Sequence, residues 1–173
     1  MLILMVPFVA GSIDLAIVGR SISERFRAEV SVRTPAFDPS DAYDASRGQY
    51  SARTLLDMLP EPPGGGAVIG VTTLDIFVPL FTHVFGLGVL RGGRSVVSGY
   101  RLDATRYGEA DDRTLLSERL LKEAVHELGH AFGLVHCHHP ECVMQACFDV
   151  GEVDLKRADF CSSCRSAFRR TAT

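Results

Sequence analysis

The apolar positions change period along the chain, and the changes mark out its elements. Residues 2–9 form a continuous apolar run, the pattern of a central strand buried on both faces. Gly11 and Ser12 punctuate it, with Ser12 a candidate N-cap and Asp14 in the favourable first turn. Leu15, Val18, Ile22 and Phe26 recur at helical spacing, with Arg20, Ser21, Glu24 and Arg25 largely on the other side. Ala28, Val30 and Val32 then alternate with Glu29, Ser31 and Arg33, which predicts a second strand. Strand, helix and strand of this length predict a right-handed βαβ unit with parallel strands. Its first turn carries no glycine-rich phosphate loop, so nucleotide binding finds no support.

Residues 34–46, with two prolines and three aspartates, read as a loop. Residues 49–59 predict a helix with Leu55, Leu56 and Leu59 on its apolar side. The breaker at 60–66 is followed by a third core strand over 67–72. Residues 82–90 and 95–102 flank Arg91-Gly92-Gly93-Arg94 and predict a β-hairpin. Such a hairpin can offer an exposed edge that holds an extended peptide by strand addition. Asp111 or Asp112 can cap a long helix running into residues 126–130, and residues 154–170 predict a closing helix. Alternating strands and helices, then a hairpin, then helices give an α/β sandwich around a mixed sheet.

Composition narrows this picture without redirecting it. A chain of 173 residues with 46% hydrophobic and 23% charged positions fits one domain with a proper core. A net charge of −3 gives no nucleic-acid or anionic-membrane footprint, and no apolar run approaches a membrane span. The apolar start lacks the basic region of a signal peptide and is read as the first strand, so a cytoplasmic protein is expected. All five cysteines lie in the last 37 residues. In a reducing compartment, thiols clustered this way point to metal rather than to a disulfide framework.

The candidate chemistry gathers in residues 126–142, HELGHAFGLVHCHHPEC. His126 and His130 are four apart, so on a helix they differ by about 40° and face a common metal. Glu127 lies on the adjacent flank, placed to handle a metal-activated water. A continuing helix would turn His136 about 240° away from His130 and carry it about 9 Å further. Gly133 supplies the break that lets His136 fold back as the third ligand. The full pattern H-E-x-x-H-x-x-G-x-x-H is that of metzincins, in which a methionine lies in a turn beneath the metal, here Met144. Three histidine ligands leave one position open, the arrangement of catalytic zinc, with Glu127 as general base and acid. Cys137, Cys142, Cys161 and Cys164 match a closed, structural Cys₄ zinc site, with Cys147 left outside it. Two zinc ions per chain are therefore expected, sharing the loop that joins His136 to Cys137. His138 and His139 read as exposed loop residues, and His83 as a structural residue away from the cluster.

With HELGHAFGLVHC, Cys142, Val143-Met144 and Cys161-Ser-Ser-Cys164 in place, the chain resembles the archaemetzincin family of metzincin-like zinc peptidases. Sixteen residues separate Met144 from Cys161, one fewer than the family pattern. Weaker similarity extends over residues 47–50 and 97–102. The resemblance implies a metzincin-like fold in one domain, with an upper part of about residues 1–133 and a lower part of about 134–173. It implies zinc on His126, His130 and His136, general base Glu127, Met-turn residue Met144, and structural zinc on Cys137, Cys142, Cys161 and Cys164. Phe148 stands where several relatives carry a tyrosine near the reacting centre. The leading expectation is a monomeric zinc peptidase, an aminopeptidase among the forms considered, acting on peptides or proteins without nucleic-acid or membrane partners. The alternatives are a zinc-binding interaction module using the thiolate knuckle with Arg165, Arg169 and Arg170, or a zinc hydrolase of a non-peptide amide.

Overall fold

The computed structural model describes residues 1–11, 13–33 and 38–171. Strand β1 (Leu2–Pro7) leads to helix α1 (Leu15–Phe26) and back to β2 (Glu29–Val32), which pairs parallel to β1. Ser12 and part of the loop at 34–46 lie outside the described residues. Asp14 is itself the N-cap of α1, accepting the N–H groups of Ala16 and Ile17 at 3.0 Å each.

Next come β3 (Tyr43–Asp44), β4 (Gln49–Ser51) and α2 (Ala52–Asp57). The helix expected over 49–59 is therefore shorter than its pattern. Gln49–Ser51 is claimed by a small sheet, and the Ser51 hydroxyl caps the remainder through the Thr54 N–H. Distant partners decide this: Tyr50 pairs with Ile76, and the Gln49 amide donates to Asp75 and to the Thr82 carbonyl.

The chain continues through β5 (Ala67–Thr72), β6 (Ile76–Phe77), β7 (Gly86–Gly88) and β8 (Arg94–Ser98). The main sheet has the order β2-β1-β5-β8-β7, parallel except for β7, and a second sheet has the order β3-β4-β6. The hairpin forms with arms shorter than the apolar runs. Residues 78–85 leave the sheet because Arg47 binds the Phe81 and Thr82 carbonyls, at 2.8 and 3.2 Å, which a ladder would otherwise use. Residues 100–102 close as a single 3₁₀ turn.

Helix α3 (Arg113–Ala131) starts on Asp112, which accepts the Leu115 N–H at 2.9 Å. Instead of one closing helix there are two, α4 (Val150–Leu155) and α5 (Ser162–Thr171). The break falls where Lys156 turns extended and buries its side chain.

Alternation in β1 serves two cores. Ile3 and Met5 face α1 and α3 with Ile69, Val71 and Val97, while Leu4 and Val6 face α2 with Val68 and Val96. The chain end docks through the rings of Phe26, Phe132, Phe160 and Phe168, whose contacting centroids lie 5.3–5.8 Å apart. No helix among the described residues is long and apolar enough to cross a membrane.

Candidate active site and metal centres

Helix α3 passes beneath β7 and β8 and delivers His126, Glu127 and His130 into a cleft of about 750 Å³. It ends as its spacing requires. Gly133 has φ +95°, its N–H donates to the His130 carbonyl, and the Leu134 N–H reaches back to Gly129, both at 2.8 Å. The reversal brings His136 to the other two imidazoles, with ring centroids 4.9 Å from His130 and 5.3 Å from His126.

Two hydrogen bonds set the ring orientations. His126 Nδ1 lies 2.8 Å from the Val143 carbonyl and His130 Nδ1 lies 2.7 Å from that of Leu134. A carbonyl only accepts, so each Nδ1 carries the proton and each Nε2 keeps its lone pair for a metal. The two Nε2 atoms are 3.1 Å apart. Tetrahedral zinc with Zn–N bonds of about 2.0–2.1 Å requires a spacing of roughly 3.3 Å, so the donors fit the ion. Burial lowers the pKa of all three histidines, with the Lys156 cation adding to the effect. The neutral form that binds metal is thereby favoured.

Glu127 is buried beside this trio, beneath the backbone of β7. A β-carbon on Gly86 would stand 2.5 Å from Glu127 Cγ, and one on Gly88 would stand 2.8 Å from His130 Cβ. The two glycines therefore let the strand lie directly on the glutamate. Burial pushes the Glu127 carboxyl well above the ordinary range, Glu123 one turn upstream pushes the same way, and Lys156 and the Gly88 N–H oppose.

The four cysteines form a second cluster. The sulfurs of Cys137, Cys142, Cys161 and Cys164 all lie within 4.8 Å of one another. The Cys137–Cys161 separation is 3.8 Å, matching the roughly 3.8 Å that Zn–S bonds of about 2.3 Å give in a tetrahedron. The N–H groups of His139 and Cys161 point at Cys137 and Cys142 sulfur, at 3.4 and 3.3 Å. The Cys164 N–H lowers the Cys161 thiol to about 7, whereas burial raises Cys142 and Cys164.

Of the remaining candidates, Met144 is fully buried below the helix, its thioether facing the Cα of Gly129. Cys147 stands apart from the thiol cluster and lines the histidine cleft, its thiol raised by burial to about 11. His138 and His139 are exposed, and Phe148 forms an exposed rim of the cleft. His83 departs from expectation: it lines the cleft instead of standing away from it, because residues 78–85 fold over α3. Gly86, Gly88, Glu123 and Lys156 join the site beyond the residues that the sequence motifs mark. Only the glycines carried a signal, since alternating glycines in a strand pattern mark close backbone approach.

Three comparisons bear on this geometry. The family model described as peptidase family M54 matches residues 28–170. The chain is similar to the archaemetzincins of Haloarcula marismortui, 39% identical over 86% of this chain and 90% of that one, and Archaeoglobus fulgidus, 40% identical over 94% and 96%. Among solved structures, the Archaeoglobus fulgidus archaemetzincin complexed with malonate superposes with a TM-score of 0.84 at 40% identity, covering 96% of this chain and 99% of that one. A zinc-dependent peptidase from Methanocorpusculum labreanum gives 0.84 at 29% identity, covering 97% and 100%.

Proposed function

The chain belongs to peptidase family M54, and from that premise we propose a zinc metallopeptidase that works with Glu127 as general base and acid. The observation that carries this reading is the convergence of three imidazoles and one buried carboxylate in a cleft beneath a sheet edge. His126, His130 and His136 would hold the catalytic zinc, and Cys137, Cys142, Cys161 and Cys164 a structural one. Bound at the histidines, zinc would supply a Lewis acid and lower the pKa of water toward neutrality.

The protein's own groups do the rest. An extended peptide aligns along β7, the end strand of its sheet. Glu127 takes a proton from the attacking water and hands it to the leaving nitrogen, and burial, which raises its carboxyl above the ordinary range, favours holding that proton between the two transfers. Met144 and the turn around it support the histidines from below. The charged side chains lining the cleft, among the described residues, are the carboxylates Glu123 and Glu127. Lys156 neutralises Glu123 and a bound zinc would add two positive charges, so aminopeptidase action, the finer form of this proposal, rests on the acetylation assay below. A cytoplasmic location agrees with the need for free thiolates, and the described residues from 134 onward would form the lower part that closes the site.

One experiment tests the proposal. Glu127→Gln, assayed on a fluorogenic peptide library, should lower kcat by about 10²–10⁴-fold with both zinc ions retained by metal analysis. Unchanged hydrolysis would remove the general-base role. In the same assay, free peptides should outpace their N-acetylated forms; equal rates would leave a peptidase without the amino-terminal preference.

A further inference from the structure

Lys156 belongs to the lower part and touches neither histidine cluster nor thiols of the four-sulfur site, yet its environment is highly specific. Its side chain is only 1% exposed. The ammonium lies 2.8 Å from Glu123 Oε1, 3.1 Å from the Val143 carbonyl and 3.2 Å from the Gln145 carbonyl. The two carbonyls accept hydrogen bonds from the ammonium, and Glu123 faces it as an ion pair. Glu123 is nearly as buried, at 5% exposure, so the two charges face each other in the interior. Burying such a pair brings little stability, because apolar residues of similar size usually serve as well. Its placement calls for another reason.

The Val143 carbonyl provides one. It accepts from two sides, from His126 Nδ1 at 2.8 Å and from Lys156 Nζ at 3.1 Å. The first bond sets the tautomer and rotation of His126, leaving its Nε2 facing His130. Val143 sits in a turn, outside any helix or strand, so no regular ladder fixes its carbonyl on that side. Lys156 does. Through Glu123 it also ties the turn to the helix that carries His126 and Glu127 one turn further on.

We infer that Lys156 is a positioning residue for the histidine site: it holds the Val143 carbonyl that orients His126, and Glu123 is the counter-ion that permits its burial. This rests on the reading of His126 as a zinc ligand. Outer partners of ligating histidines contribute about 10–100-fold in metal affinity, which sets the expected effect.

The test is a zinc-release titration with a chromophoric chelator, alongside Tm, on full-length protein. His130→Ala identifies the release step that belongs to the histidines. Lys156→Met should lower Tm, since it strands Glu123 in the interior, and weaken that step by about 10–100-fold. The double variant Glu123→Leu/Lys156→Met should recover Tm but keep the weakened step. Lys156→Arg, which keeps the charge, should stay folded and still weaken the step, because a planar guanidinium cannot converge its donors from one nitrogen position on the Val143 and Gln145 carbonyls. Wild-type zinc affinity in the double variant or in Lys156→Arg would overturn the positioning role alone. If His130→Ala removes no release step, the ligand reading falls and the positioning role falls with it.

Discussion

The two donor clusters meet at adjacent residues, His136 and Cys137, but they are supported in opposite ways. Two of the three imidazoles are held by backbone carbonyls, on a 19-residue helix whose inner face is core. The four sulfurs stand on loops and one helix start, with two backbone N–H groups aimed at them. Burial resists ionisation at Cys142 and Cys164, so those thiolates need a cation to form. The histidine site stands on a core helix, whereas the thiol site ties loops and a helix start to one another. A metal bound to preformed donors contributes mainly chemistry; one bound to donors that must be gathered contributes folding free energy.

The sharpest way to break this contrast is to remove one donor from each cluster. Cys161→Ser should cost stability first. A structural ion present at about a thousandfold over its Kd contributes roughly 4 kcal/mol, or about 8–16 °C in Tm at this chain length. His130→Ala should cost peptidase activity by at least the ~10²–10⁴-fold of a lost general base, with a smaller fall in Tm. Calorimetry with zinc counting checks both. Equal Tm losses in the two variants would mean that both metals, or neither, support the fold.

The same distinction explains what the sequence could disclose. The active-site helix, its break and the return of His136 follow from spacing within eleven residues, where helical geometry alone sets direction. The two-faced burial of β1 was legible for a similar reason, since an unbroken apolar run has nowhere else to go. Gln49–Ser51 looks helical in sequence because its deciding partners, Ile76, Asp75 and Thr82, lie 26–33 residues away. His83 looked remote because sequence distance says nothing about a segment that folds over α3. The Lys156–Glu123 pair was invisible for a further reason: a lone lysine and a lone glutamate, 33 positions apart, carry no period and no motif.

A gentler probe of the histidine site is Gly133→Ala. The left-handed φ of +95° is unfavourable with a β-carbon, which would also press on Arg91 Cγ at 2.8 Å. The cost should be about 1–2 kcal/mol, or about 2–8 °C in Tm. The activity loss should be disproportionate, because the turn aims His136, and a displacement near 1 Å can cost about 10²-fold. A proportionate loss of both would mean that His136 finds its place without the turn, and the contrast with the thiol site would weaken.

The smallest effect concerns the ion pair that latches α4 to α3, its arginine buried and its aspartate partly exposed. Arg119 on α3 holds Asp154 on α4 through two hydrogen bonds of 2.7 and 2.8 Å. The Arg119 hydrogen bonds lower the Asp154 pKa against the opposing pull of burial. Because the folded value lies below the unfolded value of about 3.9, the pair stabilises the fold fully above that pH. Its contribution disappears as pH falls through the lowered folded value. The Asp154 side chain is 39% exposed, so solvent screening limits the contribution to about 1 kcal/mol or less. Asp154→Asn should therefore lower Tm by only a few degrees at neutral pH, and its gap from wild type should close in acid below about pH 4. Taking the difference between the two proteins cancels any loss of zinc that acid causes in both. A gap that persists at pH 2 would mean that Asp154 acts through packing or neutral hydrogen bonds, and that charge is not what latches α4 to the active-site helix.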